Sequence, residues 1–395
     1  MTPLRIAFAA ALAAAAAAPA GADELRIGFL NTTTGQGAFI GKFLENGWKL
    51  GLEHAGWAKD GDRLGGVPTR IFYGDDQSRP DVGIREVDKM IKSDKVHLIA
   101  GQLWSHVLMA TQKPIFDAKV MLISTNAGPS PLAGELCNPL FVAAGAQNDL
   151  VAEATGELVN RDGVKTVMGL APNYQAGKDY LGGFERAYKG RMIDKVMFKV
   201  AETDYQAEFA QVRARKPEAI VIFAPGAMGV AFMKQWQASG LRDQVKLYSI
   251  FSIDYMTLPV IGEAAVGAVE ASYWNPENPL PANRRFVKDY LAKFGHMPSF
   301  PSAANYDAVG MIARAMQATK GNTGDMAAVA RQMRTTAQET IRGNLRFNVN
   351  GFFIQPYWET KVVAGPDGKP TIKGGSVIFE RADSFTDKCP ADKRT

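Results

Sequence analysis

Short apolar runs alternate with amphipathic stretches along most of this chain, and that alternation confines it to an α/β architecture. Runs at 25–30, 69–73, 96–100 and 120–123 read as strands, and the stretches at 38–55, 81–93 and from 107 onward read as helices. In the stretch 81–93, Val82, Val87, Met90 and Ile91 share one side. The pattern then restarts. Helices are expected at 150–161, 180–188, 206–215 and 227–239, and strands at 165–170, 196–200, 219–223, 245–250 and 268–273. A proline-rich link at 275–282 leads to helices at 284–294, 303–318 and 326–334. Strand-like pieces follow at 345–347, 352–359, 361–363 and 376–379. Strands alternating with helices predict parallel sheets covered on both faces. Two such blocks predict two Rossmann-like lobes joined by a hinge that the chain crosses several times. The expected division is residues 23–147 with 277–350 in one lobe and 148–276 with 351–395 in the other.

Residues 1–22 differ from the rest. Arg5 precedes an alanine-rich apolar run that Pro19 ends, and Ala20-Gly21-Ala22 fits a small-x-small cleavage site. This predicts a signal peptide cut near Ala22 and a soluble, exported protein. The apolar run at 219–233 is interrupted by Pro225, Gly226 and Gly229, so it is not expected to span a membrane. In an oxidising compartment the two cysteines, Cys137 and Cys389, predict a disulfide that bridges 252 positions. Charges are scattered and net only +5, which argues against a nucleic-acid surface. Four histidines and two distant cysteines provide no metal-ligand spacing.

The stretch 96–116 (VHLIAGQLWSHVLMATQKPIF) is the strongest candidate for a site. An apolar strand turns at Gly101 and delivers Trp104 and Ser105 to the start of a helix, with Ser105 expected as its N-cap. A helix start carries unpaired N–H groups and partial positive charge, which suits an anion. Trp104 would supply a flat apolar wall. Gly35, Gly37 and Gly41 follow the first strand with one residue too many for a dinucleotide fingerprint. Adjacent residues such as Ser105 and His106 seldom place an imidazole on a hydroxyl, and Asp75-Asp76 reads as a polar turn. No nucleophile elbow and no metal motif is present. The profile is that of a binding protein, with no cofactor, metal or catalytic residue expected. An exported hydrolase is the alternative from another class.

The segments RIGFLNTTTGQGAFIG, YGDDQSRPDVG, LIAGQLWSHV, MLISTNAGPSPLAG, LAPNYQAGKDYLGGF and ANYDAVG, in this order and spacing, resemble the leucine/isoleucine/valine-binding protein family. These are the type I periplasmic solute receptors of ABC transporters, and the resemblance covers essentially the whole mature sequence. It implies that the lobes close on a ligand like a flytrap and that a monomer delivers it to a membrane permease. It also implies that a ligand carboxylate is held at Ser105 and at Asn126, Ala127 and Gly128. Phe39, Ile40, Tyr174, Gln175, Gly226 and Tyr306 fall at cleft positions. The sequence departs from the amino-acid receptors at Phe251, where they carry a glutamate that pairs with the ligand's ammonium; Asp254 lies slightly beyond. Burying an ammonium without a counter-charge is costly. The expected ligand is therefore a small carboxylate without an amine, of benzoate or hydroxycinnamate type, with Trp104, Phe39, Tyr174, Phe251 and Tyr306 around its ring. The alternative within the family is an amino-acid or amide receptor in which Asp254 replaces the missing glutamate.

Overall fold

The computed structural model describes residues 24–366 and 368–395. The signal peptide expected over residues 1–22 lies outside them. The first block contains β1 (Leu25–Asn31), α1 (Ala38–His54), β2 (Arg63–Leu64), β3 (Val67–Asp75), α2 (Pro80–Lys92) and β4 (Leu98–Gly101). It continues with α3 (Ser105–Asp117), β5 (Met121–Ser124), α4 (Ser130–Ala133) and β6 (Phe141–Ala143). The second contains α5 (Asn148–Arg161), β7 (Thr166–Pro172), α6 (Gln175–Ala187), β8 (Arg191–Phe198), α7 (Gln206–Arg215) and β9 (Ala219–Phe223). It ends with α8 (Ala227–Ala238), β10 (Lys246–Ile250), α9 (Leu258–Ile261) and β11 (Val269–Ser272). Then come α10 (Pro281–Phe294), α11 (Phe300–Ala318), α12 (Met326–Thr335), β12 (Gln338–Thr340), β13 (Gly343–Phe347), β14 (Phe353–Ala364) and β15 (Pro370–Arg381).

Local chemistry accounts for these elements. β4, β5 and β9 are apolar without alternation and buried at every residue, as befits central strands covered on both faces. In α2, Pro80 and Asp81 occupy the first turn and Lys89 and Lys92 the last, so the charges complement the helix dipole. Val82, Val87 and Met90 form its buried stripe.

Two sheets result. The first runs β2-β3-β1-β4-β5-β6, parallel apart from the short β2. The second contains the parallel run β8-β7-β9-β10-β11, extended by β14, β13 and β12 with β15 on β14. In each parallel run the first strand pairs the second on one side and the third on the other. This sets topological switch points at β1/β4 and β7/β9, and ligands of open parallel sheets bind outside the carboxyl ends there. The strand-rich tail differs from the expected pieces. β14 is one twelve-residue strand, antiparallel to β11 and β15, and irregular register around Trp358 breaks the alternation that would have marked it.

Although late in the chain, α11 and α12 pack on the first sheet. Val309, Ile312, Met316 and Val329 share a core with Ile27, Phe29 and Trp48. The approach of α11 to α1 requires Gly47, because a Cβ there would lie 2.1 Å from the Ser302 carbonyl oxygen. Between the sheets the chain crosses at β6–α5, β11–α10 and α12–β12. Arg342, buried beside these crossings, bonds to Asp307 (3.0 Å), to Gln355 (2.5 Å) and to the carbonyl of Ala144 (2.6 Å). The disulfide Cys137–Cys389 is formed, with Cα atoms 5.5 Å apart, and fastens the C-terminal tail beside α4.

Candidate functional site

The carboxyl ends of both sheets open onto one cavity. Leu103, Trp104 and Ser105 enter it after β4, Asn126 and Ala127 after β5, and Ala146 and Asn148 after β6. From the second sheet come Tyr174, Ala176 and Tyr180 after β7, Phe223 and Pro225 at β9, Phe251 and Met256 after β10, and Tyr273 after β11. Ile40 from the first turn of α1 and Phe300 from that of α11 complete the lining. The empty space it encloses is about 560 Å³ with its open mouth included.

No Asp, Glu, Lys, Arg or His is among these lining residues. The polarity comes from helix starts instead. The first intrahelical bond of α3 runs from Leu108 N–H to Trp104 carbonyl (2.9 Å), and that of α6 from Lys178 N–H to Tyr174 carbonyl (3.2 Å). The N–H groups of each first turn therefore have no intrahelical acceptor, and each helix end carries about half a positive charge. Ser105 departs from its expected place: Trp104 has the N-cap conformation (φ −105°, ψ 129°), and Ser105 is the first helical residue. Its hydroxyl consequently does not cap the helix but accepts a hydrogen bond from Asn148 Nδ2 at 3.2 Å. His106 turns away from it. Its Nε2 donates to the Ser78 carbonyl at 3.1 Å, and burial lowers its pKa. Among the described residues, the hydrogen-bond partner of the Ser105 hydroxyl is Asn148 and not a base.

Aromatic rings form a nearly continuous wall. Trp104 meets Tyr174 (centroids 5.8 Å apart), Tyr174 meets Phe223 (6.1 Å), and Phe223 meets Tyr180 (4.2 Å). Phe251 stacks on Phe300 at 4.1 Å, with Tyr273 edge-on to both. Phe251 has φ +51°, which is unfavourable for a bulky residue. The loop is held from beneath by Glu270, whose Oε1 accepts from Ser249 Oγ, Ser252 N–H (3.2 Å) and Ile253 N–H (2.9 Å). Glu270 is itself buried, and desolvation pushes its carboxyl up to about 8.

Of the residues expected at the site, Ser105, Trp104, Asn126, Ala127, Tyr174, Phe251 and Ile40 meet in this cavity. The others stand elsewhere. Gly128 lies just behind, its N–H bonded to Asn148 Oδ1 (3.3 Å), and a Cβ there would come 1.9 Å from the Ala146 carbonyl oxygen. Gly226 supports Ile40 from below with φ +63°. Gln175 bonds to Asp179 (2.7 Å). Phe39 is 43% exposed and packs edge-on to Phe43. Asp254 is turned into its own loop, where Oδ1 accepts from Met256 N–H (2.8 Å) and Thr257 N–H (3.1 Å). It lines a smaller, separate cavity that shares only Phe300 with the main one. Tyr306 bonds to His54 Nδ1 (2.8 Å) and lines a third cavity with Arg285 and Arg314. Asn148, Tyr180, Phe223, Tyr273 and Phe300 line the main cavity without having been anticipated. For four of them the available signal was position: Phe223 ends a strand, Tyr273 follows one, and Asn148 and Phe300 open helices, whereas Tyr180 lies in the second turn of α6.

A family model described as periplasmic binding protein matches residues 24–369. A curated relative, "Leu/Ile/Val-binding protein homolog 6" of Brucella melitensis, is 24% identical over 315 residues, which cover 78% of this chain and 79% of that protein. Among solved structures, an ABC-transporter solute-binding protein from R. palustris in complex with benzoate superposes with TM-score 0.84 at 22% identity, covering 92% of this chain and 98% of that one. Another, from Rhodopseudomonas palustris BisB5 in complex with 3,4-dihydroxybenzoic acid, does so with TM-score 0.81 at 26% identity, covering 91% and 98%. The match to the family model spans most of the described chain, and the chain belongs to the periplasmic binding protein family.

Proposed function

We propose that this protein is the periplasmic receptor of an ABC transporter, that it captures a small aromatic carboxylate in the cavity between its two sheets, and that it hands this ligand to a membrane permease. The observation that carries the proposal is the cavity's composition: a wall of aromatic rings, no charged side chain among its lining residues, and the first turns of α3 (Ser105) and α6 (Ala176) in the lining. The ring of a benzoate- or hydroxycinnamate-type acid would lie against Tyr174, Tyr180, Phe223, Phe251 and Phe300. Its carboxylate would face Ser105, Asn126 and the N–H groups that open α3 and α6, with hydrogen bonds to the charged group worth about 1.5–3 kcal/mol each. The two R. palustris complexes hold ligands of this class, which supports the same choice here. In this reading the site acts by binding; the nearest imidazole along the chain, His106, bonds to the Ser78 carbonyl and not to Ser105.

The amino-acid alternative needs a counter-charge for an ammonium. No carboxylate lines the cavity, and Asp254 faces its own turn. Thermal-shift and calorimetric titration with benzoate, 4-hydroxycinnamate and leucine tests the reading. Stabilisation by the aromatic acids is expected; stabilisation by leucine alone would overturn it.

A further inference from the structure

The hydrogen bonds around Asn148 run in one direction. Asn148 opens α5 at the first crossing between the sheets and is 2% exposed. Two of its partners can act in only one sense. The Gly128 N–H, a donor, stands 3.3 Å from one end of the amide, and the Asp179 carboxylate stands 2.9 Å from the other. Burial and nearby Asp149 push Asp179 up to about 6, and its oxygen Oδ2 accepts from Asn148 Nδ2. Gln175 Nε2 (2.7 Å) and the Ser130 N–H (3.2 Å) also donate to it. These partners settle which end of the Asn148 amide is oxygen and which is nitrogen.

The consequence reaches the cavity. The remaining Asn148 Nδ2 hydrogen goes to Ser105 Oγ at 3.2 Å, and Asn148 Oδ1 also accepts the Tyr180 hydroxyl at 3.2 Å. A serine hydroxyl has one proton and two acceptor positions. Because Ser105 Oγ accepts from Asn148, and no acceptor among the described residues takes its proton, that proton is left for the cavity. The Tyr180 proton is committed to Asn148.

We propose that Asp179 and Asn148 are positioning residues that set Ser105 as a hydrogen-bond donor, so that the cavity selects a carboxylate anion over the corresponding neutral amide. The proposal rests on the aromatic-carboxylate reading and assigns its preference for the anion to this relay. Ser105 and Gly128 belong to loops of the first sheet, Asp179 and Tyr180 to α6 of the second. The donor is therefore fixed only when the two sets of loops meet.

Calorimetry of the full chain with benzoate and benzamide tests this, since the two share a ring and differ in charge and donor pattern. The parent is expected to bind benzoate at least tenfold more tightly. Asn148→Asp turns an acceptor toward Ser105 and draws its proton away. The benzoate-to-benzamide preference should then fall at least tenfold, with most of that fall absent in a Ser105→Ala background. Asp179→Asn should lower the preference several-fold, although loss of a nearby negative charge would by itself strengthen anion binding. Should Asn148→Asp fail to melt cooperatively, the Asp179→Asn result decides. An unchanged preference, equal loss of both ligands in Asn148→Asp, or a raised preference in Asp179→Asn overturns the relay. A parent that binds both probes equally overturns the relay alone. A parent that binds neither overturns the aromatic-carboxylate reading and the relay with it.

Discussion

Replacing Arg342 by methionine should destabilise the protein more than any surface ion-pair substitution and should loosen the joint between the two sheets. The guanidinium holds Asp307, Gln355 and the Ala144 carbonyl at 3.0, 2.5 and 2.6 Å, and the two charged side chains are 1% and 2% exposed. It also lies over the rings of Tyr273 (5.5 Å) and Phe353 (5.2 Å). Removing one partner of such a buried pair leaves the other charge uncompensated, at a cost of roughly 3–5 kcal/mol, against about 0–1 kcal/mol for an exposed pair. Methionine fills part of the volume but leaves Asp307, among the described residues, with the Ile341 N–H (2.9 Å) as its remaining hydrogen-bond donor. About 4 kcal/mol is therefore expected. Urea unfolding followed by tryptophan fluorescence and far-UV circular dichroism measures it, and the two probes should cease to coincide if the sheets unfold separately. The double variant Arg342→Met/Asp307→Leu removes the stranded charge and should regain much of the loss. A loss below about 1 kcal/mol, or no recovery in the double variant, would refute the reasoning.

Three further outcomes follow from other parts of the molecule. Ser105→Ala should weaken benzoate binding about tenfold, near 1.4 kcal/mol, as expected for one lost hydrogen bond; calorimetry reads it directly. Glu270 keeps its proton in the folded protein up to about pH 8 but loses it near 4.5 when unfolded, so the folded state holds the extra proton between those values. Stability should fall as pH rises through that window, on the order of 4 kcal/mol, and Glu270→Gln should flatten the denaturation profile there. Replacing Cys137 and Cys389 together by serine releases a loop of 252 positions and should lower unfolding stability by at most about 5 kcal/mol, measured by chemical denaturation.

Much of the fold and half of the site were legible in the amino-acid order, for identifiable reasons. Central strands such as β4 and β9 are covered on both faces, so they appear as unbroken apolar runs bounded by glycine or proline. Trp104 and Ser105 were visible because Gly101 ends a strand just before them. Asn148 and Phe300 were hidden by an error of boundary. The expected helices began at 150 and 303, whereas α5 and α11 begin at Asn148 and Phe300. First turns collect polar residues and proline, here Gln147-Asn148-Asp149 and Ser299-Phe300-Pro301, and these look like loop. In this structure first turns also line the candidate cavity, so a small error of boundary removes lining residues. Tyr306 shows the opposite failure: it lies on α11, but the side chain faces His54 and not the cavity, and no sequence spacing distinguishes the two faces.

The division of labour between the sheets explains why the cavity needs both. Loops of the first sheet bring Ser105, Asn126 and the start of α3, which are the polar side of the site. Loops of the second bring Tyr174, Tyr180, Phe223, Phe251 and Tyr273, which are most of its rings. A ligand with a carboxylate at one end and an aromatic ring at the other gains its full interaction only when the two halves meet around it. A ligand shifts a conformational equilibrium only by its difference in affinity for the two states. Under the proposed function, a molecule that satisfies both halves would drive closure, whereas a bare ring would engage mainly the second half and leave the equilibrium near where it was. Selection of the ligand and closure of the protein would then, in the proposed function, be the same event.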